Sequence, residues 1–162
     1  MKQFIYKIQR QQLQVDEPLA SLVLLDSGMA LLGHFPLLVK RLGAVKAFKL
    51  GLKVLSGRGA YYAVIEDKQL LSDGHVTFGY CNHYQIASSD AVVGPVETLE
   101  AARGRGLATK ALAACVRTLF ERHGVTAVYI DTAETNLAMQ KVIEKVGFGP
   151  ACDAYDRPQT LV

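Results

Sequence analysis

The residues with the most chemistry in this chain of 162 residues fall in one stretch, Glu97-Thr98-Leu99-Glu100-Ala101-Ala102-Arg103-Gly104-Arg105-Gly106-Leu107-Ala108-Thr109-Lys110 (ETLEAARGRGLATK). Gly104 and Gly106 stand among Arg103 and Arg105, just after an apolar run and just before an apolar helical pattern. A helix that begins near Gly104 opens with backbone N–H groups lacking intrahelical acceptors, at the positive end of its dipole. An anion is stabilised there, and glycines let it reach the amides. Arg103 and Arg105 can add charge-assisted hydrogen bonds. The implied chemistry is phosphate binding; the plain alternative is a tight strand-to-helix turn.

Two familiar phosphate loops fit poorly. The G-x-x-x-x-G-K-[S/T] spacing is not met. Gly104-x-Gly106 follows an apolar strand and Asp131 ends the next one, as in a dinucleotide fold. However, Thr109 stands where a third small residue should pack. The turn also lies in the last two-fifths of the chain, which leaves too little for a doubly wound sheet.

The elements around the turn are legible as patterns. Phe4-Ile5-Tyr6-Lys7-Ile8 reads as a first strand. Leu19–Leu25 reads as a short apolar helix, Asp26-Ser27-Gly28 as a turn, and the residues after Pro36 as a helix reaching about Leu55. In that helix Leu42, Val45, Phe48, Leu52 and Leu55 form an apolar stripe, with Lys46, Lys49 and Lys53 beside it. Ala60–Glu66 and Leu70–Tyr80 look like an antiparallel pair joined at Asp67-Lys68. Ala91–Thr98 is a further strand, and its internal Gly94-Pro95 predicts a bulge or splay, because proline lacks the ladder donor. A helix from about Gly104 to His123, a strand at Ala127–Ile130 and a helix from Asn136 to Val146 complete a βαβ-like unit, whose two strands should be parallel.

Arg103-Gly104-Arg105-Gly106-Leu107-Ala108 fits [Q/R]-x-x-G-x-[G/A] and resembles the acetyl-CoA pyrophosphate loop of the GNAT superfamily of N-acyltransferases. Asn136, followed after ten intervening residues by Gly147-Phe148, resembles that family's closing N-x-x-A-x-x-L-Y-x-K-x-G-F segment. The resemblance covers Ala91 to Phe148. It implies an α+β fold with a mixed, mostly antiparallel sheet, splayed central parallel strands and flanking helices, spanning residues 1–162 as one domain. It implies acetyl-CoA as cosubstrate and no metal. By position, the backbones of Val96 and Thr98 should pair with the pantetheine arm. The amides of Arg103, Gly104, Arg105, Gly106, Leu107, Ala108 and Thr109 should hold the pyrophosphate, and Asn136 should contact the coenzyme arm. A helix N-terminal polar role accounts for Asn136 equally well.

Acetyl transfer to an amine has its own demands. An amine with a pKa of about 10 is mostly protonated at neutral pH, so a base must act first. The resemblance places Asp90 where some members carry that base, with Glu97 second on the same strand; each is also an ordinary solvated carboxylate. Ile143 stands where the family often has a tyrosine that protonates the leaving thiolate. The acid is then Tyr155 or solvent, since a thiolate of pKa about 8.5 leaves without much help. Met139 replaces the usual alanine of the same motif. His75 and His83 lie near strand ends and take no assigned role.

Composition bounds the rest. The net charge of +3 is mild, yet no acidic residue occurs between Ser27 and Ile65, where Lys40, Arg41, Lys46, Lys49, Lys53 and Arg58 lie. That local basicity suits a solvated face, an anionic acceptor such as a nucleotide-linked amino sugar, or contact with anionic lipid through a basic amphipathic helix. A weaker likeness to acetyltransferases of polysaccharide-building pathways favours the amino sugar. Nothing calls for nucleic acid. Cys81, Cys115 and Cys152 have no metal-like spacing and read as idle thiols. Leu19–Val39 is interrupted by Asp26, Gly28, His34 and Pro36, a poor spanning helix, and no signal peptide is visible, so a cytoplasmic location is expected. A homodimer is compatible with the family. The expected function is acetyl-CoA-dependent N-acetylation of a small-molecule amine; the competing readings are a non-catalytic coenzyme A-binding module and a membrane-surface binding module on the same fold.

Overall fold

The computed structural model describes residues 1–14 and 19–158. Along Lys2–Ile8 (β1) the side chains are mostly buried from Gln3 onward. The strand is paired on both edges: Tyr6 faces Ile130 of β6 (Val128–Ala133), and Gln3 faces Tyr155 of β7 (Asp153–Asp156), both antiparallel. The first strand therefore lies in the second half of the sheet. The remaining strands are β2 (Leu22–Leu25), β3 (Gly59–Glu66), β4 (Gln69–Phe78) and β5 (Ala91–Thr98), giving the order β2-β3-β4-β5-β6-β1-β7. Among the described residues only β5 and β6 pair in parallel, as the crossover through α3 (Leu107–Arg122) requires. The architecture is the expected α+β, mostly antiparallel sheet.

Helices cover both faces. Leu112, Cys115, Leu119 and Phe120 of α3, with Ile143 and Val146 of α4 (Leu137–Val146), pack on Tyr62, Val76, Val93, Val128 and Ile130. On the opposite face, α1 (Gly28–Leu42) and α2 (Ala44–Leu55) bury Leu31, Leu38, Ala47, Leu50 and Val54 against Leu25, Tyr61, Ala63 and Leu70.

Three local expectations are corrected. Leu22–Leu25 is a strand paired with β3, not part of a helix; a four-residue apolar run has no period that separates the two. The helix expected after Pro36 begins eight residues earlier at Gly28, where the Ser27 hydroxyl accepts from the Ala30 amide at 3.3 Å. Pro36 sits inside α1, and Gly43 (φ 83°) divides α1 from α2. Of the expected apolar stripe, Val45, Phe48, Leu52 and Leu55 are exposed. Alpha-helix α2 buries Ala47, Leu50 and Val54 instead, because a helix apolar on most sides offers several stripes at the same spacing.

The turn at Asp67-Lys68 is as read: both residues are left-handed (φ 48° and 59°) between the paired Glu66 and Gln69, the geometry of a two-residue hairpin. The Gly94-Pro95 irregularity is also present. Across β4, Gly74 faces Val96 and Val76 faces Val93, so Gly94 and Pro95 together oppose His75. Their peptide bond is cis.

Candidate active site

Strand β5 pairs with β6 only through Ala91, Val92 and Val93. Beyond that point β5 bulges, while β6 continues along β1 as far as Ala133. The two parallel strands part, and a cleft of about 900 Å³ opens between them. Gly94, Pro95 and Val96 line one side; Asp131, Thr132 and Ala133 line the other, with Asn136 and Met139 from the start of α4.

The free edge of β5 has a defined orientation. The Ser72 hydroxyl donates to the Glu97 carbonyl at 3.1 Å, and the Leu99 amide donates to Leu71 of β4 at 2.8 Å. Residues 97 and 99 thus turn their polar backbone toward β4. Alternation turns Val96 and Thr98 toward the cleft, where an extended ligand can add to the edge.

At the end of that edge, Gly104 (φ 78°) and Gly106 (φ 72°) are both left-handed, and a Cβ on either would meet nothing within 4 Å. Glycine is thus required by the backbone angle, and the space over the turn is open. The Lys110 amide is the first to bond back, to Gly106, so the amides of Leu107, Ala108 and Thr109 lack intrahelical acceptors. Arg103 departs from expectation: its amide donates to Glu100 at 3.1 Å and its Nε to the Thr98 carbonyl at 3.3 Å. Arg105 leans away to pair with Glu66 at 2.8 Å. The Asn136 side-chain oxygen caps α4 by accepting from the Met139 amide at 3.1 Å, and the residue lines the cleft as well.

The acid–base candidates separate sharply. Asp90 is buried before the strands part and is absent from the cleft lining; its carboxylate accepts from the Ala87 amide at 3.2 Å, tying down the loop before β5. Glu97 is also outside the cleft lining and shares Arg41 with Asp73: Arg41 donates to Asp73 at 2.7 Å and to Glu97 at 2.9 Å. Ile143 is fully buried in the core, so its position cannot serve the cleft, whereas Met139 one turn earlier does line it. The Tyr155 hydroxyl donates to the Asp131 carboxylate at 2.5 Å, and its ring stacks on His83 at 5.1 Å. Burial, then this bond, raises the Tyr155 pKa well above its ordinary value. Its proton is directed at Asp131.

Asp131, given no acid–base role from sequence, is the carboxylate that lines the cleft. Val93 faces Ile130, so Asp131 is the first residue of β6 past the parting. Ile130 points into the α3 core; Asp131 therefore points to the other face, into the cleft beside Tyr80, Cys81 and His83. A carboxylate ending the apolar run Val128-Tyr129-Ile130 was the available signal.

That same face carries a second, smaller pocket of about 250 Å³ lined by Lys46, Lys49, Lys53, Leu42, Leu50 and His75. Lys53 donates to the Thr77 hydroxyl at 2.6 Å, and Thr77 also lines the cleft. Burial, then the charge of Lys53, lowers the His75 pKa. Among the described residues no three metal-ligating side chains converge.

This combination of parted parallel strands and a glycine turn defines a class. The family described as acetyltransferase (GNAT) domain matches residues 44–149, and the chain belongs to that family. Among solved structures it is similar to an acetyltransferase from the GNAT family from Colwellia psychrerythraea (18% identity, TM-score 0.65, covering 91% of this chain and 52% of that one). It is also similar to a GCN5-related N-acetyltransferase from Kribbella flavida (17% identity, TM-score 0.60, 95% and 56% covered). A third similarity is to aminoglycoside N-acetyltransferase AAC(6')-Iy in complex with CoA (18% identity, TM-score 0.61, 86% and 99% covered). The chain spans little more than half the length of the first two, and at these identities the likeness is one of fold. No curated protein matches it.

Proposed function

We propose that residues 1–162 act as one acetyl-CoA-dependent N-acetyltransferase domain for a small-molecule amine. The observation that carries this reading is the continuity of the cleft edge with the turn: Val96 lines the gap, the backbone of Thr98 turns away from β4, and the edge ends at left-handed, open-topped Gly104 and Gly106. The chain fits the coenzyme there, because an extended amide-bearing arm needs a free strand edge and a pyrophosphate needs accessible amides. Val96 and Thr98 hold the arm; the amides from Gly104 to Thr109 hold the pyrophosphate, and Asn136 closes the far side. Bound acetyl-CoA supplies a thioester carbonyl open to attack by an amine.

Asp131 receives the ammonium of the acceptor on the opposite face of the sheet and takes one of its protons before the freed amine attacks; the second proton leaves nitrogen to solvent as the thiolate departs. Tyr155 fixes the carboxylate by donating to it. A backbone N–H of bulged β5 stabilises the negative charge that develops on the carbonyl oxygen. The thiolate leaves without a protein acid. Lys46, Lys49 and Lys53 around the neighbouring pocket favour an acceptor with an anionic group, and a nucleotide-linked amino sugar has both features. A second reading, coenzyme A binding without catalysis, is favoured by the burial of Ile143 and by the engagement of Tyr155 with Asp131.

Thiol release across an amine panel separates the two. Nucleotide-linked amino sugars, uncharged amino sugars and an aminoglycoside should be compared. Turnover highest with the anionic amines supports the proposal; coenzyme binding without thiol release from any amine supports the second reading.

A further inference from the structure

We propose that the α1–α2 hairpin docks the protein on an anionic lipid surface through the face bearing Met29, Leu32, Val45, Phe48, Leu52 and Leu55. These six are 54–83% exposed, from Leu52 to Met29. On α2 the four apolar residues recur at spacings of three and four on the side away from buried Ala47, Leu50 and Val54. On α1 exposed Met29 and Leu32 are continued by exposed Gly33 and Pro36. The two stripes adjoin: a Cβ on Gly28, at the start of α1, would stand 3.2 Å from the Leu55 side chain at the end of α2. An apolar surface of this extent on a folded protein marks a contact surface.

Charge identifies the occupant. No carboxylate lies between Ser27 and Ile65. Of the six cations in that segment, Arg41 is neutralised by Asp73 and Glu97, and Lys53 is turned inward to Thr77. Lys40, Lys46, Lys49 and Arg58 are exposed and rim the apolar face. A second copy placed on the same face would bring these cations together with no acid in the segment to pair them. Anionic headgroups supply the missing counter-charge while the acyl boundary takes the apolar side chains, the arrangement of helices that lie in a membrane interface. The hairpin lies on the sheet rather than crossing a bilayer: no described helix is long and apolar enough to span one. The lysine edge of α2 also borders the pocket beside His75, so docking sets that pocket at headgroup level.

The test is flotation of the full chain with vesicles of phosphatidylcholine containing one-quarter phosphatidylglycerol, against pure phosphatidylcholine, with light scattering on the free protein. The expected result is co-flotation with anionic vesicles only, released by about 0.5 M salt. Phe48→Ser with Leu52→Ser should weaken partitioning by about tenfold or more, and Lys46→Gln with Lys49→Gln should weaken it and lower the salt needed for release. Because these side chains are exposed, the variants should keep the wild-type melting temperature, which separates lost docking from lost fold. No flotation, or equal flotation on neutral vesicles, overturns the proposal. So does a wild-type dimer that Phe48→Ser dissociates, which would give the face to a second copy.

Discussion

Asp131 lies one residue past the last ladder pair between β5 and β6, and its neighbour Ile130 faces the opposite way into the core. That alternation, rather than any motif, puts a carboxylate at the mouth of the cleft with the Tyr155 hydroxyl 2.5 Å away. Asp131→Asn should therefore lower kcat/KM by about 10²–10⁴ while leaving the KM for acetyl-CoA nearly unchanged, measured by thiol release. Asp90→Asn, which alters only a loop tether, should leave kcat close to wild type. His75 carries a different prediction, about stability. Burial, then Lys53 and Lys46, hold its imidazole neutral, against the opposing pull of Asp73 and Glu97. Its folded pKa is below the unfolded value of about 6.5, so the unfolded chain binds the extra proton. The stabilisation is complete above that value and is lost as pH falls through it toward the folded pKa. Denaturant unfolding should show stability falling below about pH 6.5, with a shallower fall in His75→Gln.

At the scale of elements, Asn136 shows how one side chain can answer to two demands. Its oxygen caps α4, and it faces the cleft. Asn136→Ala should cost about 1 kcal/mol of stability and weaken coenzyme binding; Asn136→Ser keeps the cap, so thermal melts should barely change while the KM for acetyl-CoA still rises. The bulge region tolerates less. A Cβ on Gly74 would stand 2.3 Å from the fully buried Tyr62 ring, so Gly74→Ala should destabilise by about 1–3 kcal/mol in denaturant unfolding. The turn, the bulge and the β5-α3-β6 unit were legible because their signals are local: glycines at required angles, a proline inside a strand, apolar residues at helical spacing. Strand β2 and the division of α1 from α2 were not, since Leu22–Leu25 becomes a strand only by pairing with β3. The placement of Asp90 and Glu97 outside the cleft lining was hidden for a related reason. Asp90 and Glu97 share the strand before the turn, but which face each carboxylate points from depends on a bulge and on Arg41 from another element.

Across the whole molecule, the first strand closes the far half of the sheet by pairing with both β6 and β7. It thereby holds Tyr155 against Asp131, although 24 residues separate them in sequence. No local pattern contains that contact, so the sequence shows Tyr155 without the Asp131 partner it has in the fold. The same sheet carries the parted edge of β5 and the open turn side by side, a continuous site for one extended ligand. The most direct measurement is the melting temperature with and without acetyl-CoA. At a hundredfold excess over Kd, mass action stabilises by about 2.7 kcal/mol, a rise of about 5–10 °C for a chain of this size. That rise is expected for the wild type and for Asp131→Asn, and its loss in Gly106→Trp, each shift taken against the same variant without ligand. A wild-type melting temperature unmoved by millimolar acetyl-CoA would contradict the coenzyme reading.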